Sequence, residues 1–339
     1  MSAFTPYLKI ATSGQPLSAD EMSGAMDLLL SGSASDIEIA GFLSALRARG
    51  ETVEEITAAA RSLRHNALRV EAPDDVVDTC GTGGDGAGTL NISTAAALIT
   101  AGCGVRVAKH GNKAATSKSG SSEVLESLGV KLDISPAAIT RCINEAKIGF
   151  MFAALHHKSV GHVATARKEL GVRTMFNVLG PLSNPAGANA QLLGVFARDL
   201  VRPIAETLPH LGVRQAWVVH GADGLDELTT TGPTYVAALN DGSITEFEVT
   251  PEDADLPRSN VSDLAGGDPA ENAAALWRLL DGEKGAYRDI AVLNAAAVLV
   301  IVGKAENLKL AARTAEAAID NGSARAALAK LVTISNLRK

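Results

Sequence analysis

The chain has 339 residues, 46% of them hydrophobic and 20% charged, with Lys+Arg 31 against Asp+Glu 38 and a net charge of −7. Such a composition belongs to a globular protein long enough for a large core, and its acidic balance excludes a generic nucleic-acid-binding surface. Three scattered cysteines (Cys80, Cys103 and Cys142) are too few for a disulfide framework and favour a reducing compartment.

The first third is dense in helix starts. Ser18-Ala19-Asp20-Glu21, Ser35-Asp36-Ile37-Glu38 and Thr52-Val53-Glu54-Glu55 each match the capping box, and Gly32 and Gly50 stand where the first two helices should stop. Ile39, Phe42, Leu43 and Leu46 recur at helical spacing and give one apolar face. Residues 1–70 are therefore expected to form a small helical domain, on which part of the 165–190 region is expected to pack. From 72 to 339 short β-rich runs alternate with helices, with strands expected at 76–79, 105–108, 151–153, 191–195 and 216–220. A hairpin is expected from 235–239 and 244–249 around Asn240-Asp241-Gly242. Ala- and Leu-rich helices follow from about 269, and the apolar run 290–302 is short of the ~20 residues that cross a bilayer, so it reads as a buried helix. No basic region followed by an apolar core opens the sequence, so a cytoplasmic location with no membrane contact is expected. The expected fold class is α/β: a small helical domain beside a larger domain with a mostly parallel central sheet flanked by helices, and ligands at the loops after strand C-termini.

Four segments fall at such loops. In Asp78-Thr79-Cys80-Gly81-Thr82-Gly83-Gly84-Asp85 a strand runs into a glycine turn, and Asn91-Ile92-Ser93-Thr94 opens a helix. Glycines allow the backbone to approach a ligand with exposed N–H groups, and a helix expected to start near Ser93 or Thr94, capped by their hydroxyls, adds a positive dipole end, so the segment suits phosphate. It is neither a Rossmann fingerprint nor a P-loop. Lys109-His110-Gly111-Asn112-Lys113 supplies a point charge, a close-approach glycine and an amide, and Lys118-Ser119-Gly120-Ser121-Ser122 adds a second hydroxyl-rich turn. His156, His157 and His162 invite a zinc reading, but no nearby cysteine or acid supports it; Arg167 is the better candidate, as a fork for a carboxylate or as half of a surface ion pair. In the segment from His220 to Glu227, the adjacent carboxylates Asp226 and Glu227 call for a cation, and hard oxygen ligands beside a phosphate loop point to Mg²⁺. Cys80 lacks an adjacent base and is not a candidate nucleophile.

GTGGD at 81–85, NIST at 91–94, KHGN at 109–112, KSG at 118–120, RKELGVRTMFNVLGPLSNPAG at 167–187 and DGLDE at 223–227 together resemble the anthranilate phosphoribosyltransferase family, in order and over almost the whole chain. The resemblance implies transfer of phosphoribose from phosphoribosyl pyrophosphate to anthranilate in tryptophan biosynthesis, by a homodimer formed through the helical part. It assigns phosphoribosyl pyrophosphate to Gly81, Gly83, Gly84, Asp85, Thr89, Asn91, Ser93, Thr94, Lys109 and Ser122. Anthranilate would meet Gly81, Asn112, His157, Arg167, Gly180 and Pro181. Asp226 and Glu227 would bind Mg²⁺, two ions per subunit, with Ser93 completing one shell. No acid–base residue is implied, because the aromatic amine is already neutral and positioning and electrostatics carry the rate. No glutamine amidotransferase domain is fused to the chain, and such a partner is left open. Ala154 stands where proline is common, Lys113 where arginine is usual, and Lys158-Ser159-Val160-Gly161 replaces a differently composed segment, all beside the implied acceptor channel. A pyrimidine nucleoside phosphorylase shares the architecture but needs no metal pair, so metal dependence separates the two. A catalytically silent nucleic-acid binder would want a basic groove and eroded motifs.

Overall fold

The computed structural model describes residues 2–114 and 118–337. Helices α1 (Thr5–Thr12), α2 (Ala19–Leu30), α3 (Asp36–Arg49) and α4 (Val53–His65) make an N-terminal bundle. The last three start where the capping boxes place them: Ser18, Ser35 and Thr52 each accept from the backbone N–H three residues on, and Glu21, Glu38 and Glu55 reach back. Gly50 ends α3 in a left-handed conformation with φ of 88° that a side chain would resist.

Glu55 does more than close a box. Its carboxylate is fully buried and accepts from Arg49 Nη2 at 2.7 and 2.5 Å, from Leu17 N at 2.9 Å and from Thr52 N at 2.9 Å. One acid thereby ties the ends of α3 and α4 to the α1–α2 connection. Glu55→Ala strands the guanidinium and two N–H groups, and is expected to cost about 3 kcal/mol, read as a lower denaturant midpoint at unchanged m-value.

The α/β part carries seven strands, β1 (Val76–Gly81), β2 (Arg106–Gly111), β3 (Ile148–Phe152), β4 (Ala190–Gly194), β5 (Gln215–Gly221), β6 (Thr234–Asn240) and β7 (Ser243–Val249), in the order β3-β2-β1-β4-β5-β6-β7. The first five in that order run parallel, and β6 and β7 are antiparallel. Each strand expected from the sequence exists, with ends that shift. The third begins at Ile148 rather than 151 and stops before Ala153, because Lys147, at φ 63°, turns the chain into the sheet and the whole Ile148–Phe152 run pairs with β2.

Between the strands lie α5 (Ile92–Gly102), α6 (Ser121–Ser127), α7 (Pro136–Glu145), the short α8 (Ala153–His156), α9 (Ala164–Leu170), α10 (Phe176–Leu182) and α11 (Val201–His210). Helices α12 (Pro269–Leu280), α13 (Ala286–Ile301), α14 (Leu308–Asp320) and α15 (Ser323–Ser335) close the chain. Helix α13 takes up the 290–302 run and is buried almost all round, as its composition requires. No helix among the described residues is long and apolar enough to cross a membrane.

Two cores result. One joins α5 and α13 to α14, α15 and one face of the sheet. The other joins the bundle to the opposite face through α11, and also takes in Val163, Ala166, Phe176, Leu179 and Leu182 of the α9–α10 region. From β1 the chain moves outward to β2 and β3, then returns to β4 on the other side of β1. The C-terminal end of β1 is thus the switch point of the sheet, where a crevice opens for a ligand.

Candidate active site

A cavity of about 540 Å³ opens at that switch point. Its floor is the glycine turn after β1. Thr82 N donates to Gly194 O at 2.9 Å and Gly83 N donates to Asp226 Oδ2 at 2.7 Å, so the turn is clamped to the ends of β4 and of the 221–227 loop. Gly81 and Gly194 permit this: a Cβ on either would overlap Asp226. Arg173 donates to Gly84 O while its guanidinium lies 4.4 Å from the Phe196 ring centroid, which holds the outer side of the turn.

Ser93 and Thr94 do not cap α5. Asn91 is its N-cap residue without a side-chain cap bond, because the Asn91 amide is used elsewhere, accepting from Asn272 Nδ2 at 2.9 Å and donating to Ser119 O at 3.4 Å. Ser93 lies in the first helical turn, where its N–H donates to Glu227 Oε1 at 3.1 Å and its hydroxyl accepts from Lys109 Nζ at 3.2 Å. Lys109 is 2% exposed, and its ammonium also donates to Thr79 O. Among the described residues its hydrogen bonds go to neutral oxygens, and the Asp78 and Glu227 carboxyls lie within its electrostatic reach.

Asp226 and Glu227 face this cluster. Burial raises the Asp226 carboxyl, helped by nearby Asp85; burial raises Glu227 too, with Asp226 as the second cause. Two buried carboxyls that resist ionisation beside each other fit a divalent cation, which would restore both charges. Among the described residues no group of three or more His, Cys, Asp or Glu is placed to hold a metal, so other oxygens, such as those of a bound phosphate, would have to complete the shell of a hard cation. His156, His157 and His162 point apart: His156 Nδ1 donates to Leu68 O at 2.6 Å, and His162 packs by Gly32. Cys80 is buried and its thiol is pushed well above its ordinary value by burial.

The opposite wall comes from α8–α10 and the end of β2. The imidazoles of His110 and His157 meet edge to face at 5.1 Å between centroids. Burial lowers His110 to about 3 and His157 to about 4, so both are neutral at physiological pH. His110 Nδ1 lies 3.1 Å from Gly180 O and must carry the proton, which leaves Nε2 as a buried lone pair. His157 makes no well-formed hydrogen bond at either ring nitrogen and has only a loose approach to the Ser183 backbone. Arg167 lies 5.1 Å above the Phe176 ring centroid and has no carboxylate partner among the described residues; burial lowers its pKa from the ordinary arginine value. Of its two readings from sequence, the surface ion pair is thereby removed.

Beneath this wall lies Asp78, fully buried in β1. It accepts from His110 N at 3.1 Å, from Asn184 Nδ2 at 2.7 Å and from Cys80 Sγ at 3.3 Å, tying β1, β2 and the end of α10 together.

Gly81, Gly83, Gly84, Asp85, Thr89, Asn91, Ser93, Lys109, Asn112, His157, Arg167, Gly180, Pro181, Asp226 and Glu227 all border the one cavity. Thr94 and Ser122 do not. Each points inward from the first turn of its helix, and each hydroxyl is buried without a hydrogen-bond partner among the described residues. Ser119, Gly120 and Ser121 take the place on the wall expected of Ser122. Lys113, Ala154, Lys158, Val160 and Gly161 also line it, so the unusual positions of the sequence gather at the acceptor end. His110 and Phe176 went unassigned in the sequence reading. His110 lies inside the KHGN run, between two residues that were chosen, so the signal was present.

Residues 5–67 match the helical bundle domain of a glycosyl transferase family, and residues 73–325 match its α/β domain. The anthranilate phosphoribosyltransferase of Parvibaculum lavamentivorans is 56% identical over 336 residues, 99% of this chain and 98% of that one. The chain belongs to the anthranilate phosphoribosyltransferase family. The family member of Thermus thermophilus has a crystal structure that superposes with a TM-score of 0.93 at 43% identity, covering 98% of this chain and 99% of that one. The enzyme of Saccharomyces cerevisiae, solved in complex with PRPP and Mg, gives a TM-score of 0.90 at 29% identity, over 98% and 97% of the two chains. It has also been solved with 4-fluoroanthranilate, at a TM-score of 0.89 and 27% identity over the same shares.

Proposed function

We propose that this chain transfers the 5-phosphoribosyl group from phosphoribosyl pyrophosphate to the amino group of anthranilate, giving N-(5'-phosphoribosyl)anthranilate and pyrophosphate in tryptophan biosynthesis. The observation that carries the reading is the pairing, across one cavity, of a phosphate-type floor with a partly buried guanidinium that lacks a carboxylate partner. The yeast complexes with PRPP and Mg and with 4-fluoroanthranilate support both halves.

In this reading the glycine turn, Asp85, Thr89, Asn91, Ser93 and Lys109 hold the donor, and Thr94 and Ser122 support it from behind by shaping the first turns of α5 and α6. Asp226, Glu227 and Ser93 hold Mg²⁺, two ions per subunit. Bound there, Mg²⁺ neutralises charge on the departing pyrophosphate. Arg167 grips the anthranilate carboxylate, and Asn112, His157, Gly180 and Pro181 orient its ring. The aniline nitrogen forms a bond to C1 of the ribose as the bond from C1 to the pyrophosphate oxygen breaks, and the proton that the nitrogen then loses leaves with the pyrophosphate. Lys109 stabilises the developing anion from a dry position, where its charge acts at low dielectric. Neutral His110 and His157 accept the amine N–H groups and aim the lone pair, so orientation supplies much of the rate.

Residues 1–70 form the helical unit and 72–339 the α/β unit in this reading, and the chain works as a cytoplasmic homodimer paired through the helices.

Loss of anthranilate fluorescence on adding the protein, phosphoribosyl pyrophosphate and Mg²⁺, with a chelator control, tests the reaction. No loss in folded protein would reject it, and metal-independent turnover of a nucleoside with phosphate would replace it by phosphorolysis. Arg167→Ala is expected to raise the KM for anthranilate about 10- to 100-fold, the range of one or two charge-assisted hydrogen bonds, and leave the KM for phosphoribosyl pyrophosphate within about twofold. Equal changes in both would reject the carboxylate role.

A further inference from the structure

A second cavity of about 540 Å³ lies away from the glycine turn, between the N-terminus of α7, α8 and the end of α15. It is bounded at one edge by Leu68, in the connection between the bundle and the sheet. Leu68 is fixed to α8 by two hydrogen bonds, Leu68 N to His156 O at 2.8 Å and His156 Nδ1 to Leu68 O at 2.6 Å. The floor is apolar, from Ile134, Leu155 and Leu337.

Lys131, Arg141 and Lys158 line this cavity, with Asp133 as the one acid among its lining residues. None of the four is in an ion pair among the described residues. Among the described residues, Arg141 Nε is fully screened from solvent and has no hydrogen-bond partner. A screened guanidinium nitrogen without an acceptor is costly to the fold alone, and an oxygen anion would offset that cost. The open N-terminal turn of α7, capped by Ser135 at Ala138 N, adds to the positive field at the same place.

We propose that this cavity binds a small carboxylate with an apolar body, its carboxylate on Arg141 and its body against Ile134, Leu155 and Leu337. A fork of N–H donors above an apolar floor selects that chemistry over a bare inorganic anion, which would leave the floor unfilled. Lys158 borders both this cavity and the one at the switch point, and His156 and His157 are neighbours facing one cavity each. An occupant would therefore act on the acceptor wall through the 156–158 turn. That consequence rests on the proposed function, whereas the binding does not.

The test uses 2-naphthoate, whose fluorescence anisotropy reports binding to the full chain without turnover. Arg167→Ala disables the acceptor cavity, where an aromatic carboxylate would also bind under the proposed function; in that background Arg141→Gln should weaken the remaining binding tenfold or more. Because Arg141 Nε has no partner to lose, Arg141→Gln should also unfold at the same temperature as the parent or higher, so weaker binding cannot be put down to misfolding. No binding to the Arg167→Ala chain, or binding there untouched by Arg141→Gln, would each overturn the proposal.

Discussion

Glu227→Gln is expected to lower turnover about a thousandfold, the equivalent of roughly 4 kcal/mol of charge stabilisation at the leaving group, while making the metal-free protein more stable. The two effects have one cause. Burial and the neighbouring Asp226 make the Glu227 carboxyl harder to ionise in the folded chain than in the unfolded one. An acid whose pKa is raised by folding costs nothing below its unfolded value near about 4 and penalises the fold as pH rises through its folded value. The metal-free parent should thus lose stability from about pH 4 toward neutrality, and saturating Mg²⁺ should restore it, by about 2.7 kcal/mol at a hundredfold excess over Kd. In Glu227→Gln both the decline and the rescue should shrink. Thermal unfolding across pH, with and without Mg²⁺, reads all of this without an activity assay. An unchanged pH slope would show that the two carboxyls are not strained against each other.

Gly81→Ala should cost about a hundredfold in turnover with little change in the unfolding midpoint. Gly81 has an ordinary backbone conformation, so alanine is not strained there; the obstacle is space. The new methyl would stand 2.8 Å from Asp226 Cγ and overlap its carboxylate, the group that accepts from Gly83 N at 2.7 Å. Asp226 must move, and the glycine turn moves with it. Displacement of a positioned group by about 1 Å is worth that much in rate. Gly83→Ala makes the contrast: its Cβ meets open space but its φ is 64°, so it should cost about 1 kcal/mol of stability and less activity. If the two variants behaved alike, crowding against Asp226 would not be the reason.

What could be read from the sequence was what is decided locally. Capping boxes at Ser18, Ser35 and Thr52 are four-residue events, and each starts a helix as read. The glycine turn and the Asp226-Glu227 pair stood out because glycine and adjacent acids have few other uses at the end of a strand. Distant partners decided the rest. Helix α5 starts after Asn91 rather than at Ser93 or Thr94, and Asn91 gives it no side-chain cap because Asn272, far along the chain, takes up its amide. Strand β3 begins earlier than its pattern suggested because β2 offers it a full-length partner. Ser122 turns away from the cavity because α6 begins one residue before it. His110 gained its importance only when Gly180 fixed its proton and His157 met its edge.

The α9–α10 region shares its apolar core with the N-terminal bundle, while the glycine turn belongs to the sheet. The acceptor wall therefore leans on the bundle directly, and the glycine turn only through the sheet face that shares the same core. If Arg167 grips anthranilate as proposed, the acceptor should act as a ligand of the bundle's folding as well as a substrate, since whatever loosens Leu43 or Leu46 loosens the seat of α9. Heat should then reach the two substrates in sequence, with the grip on the acceptor failing before the grip on the donor.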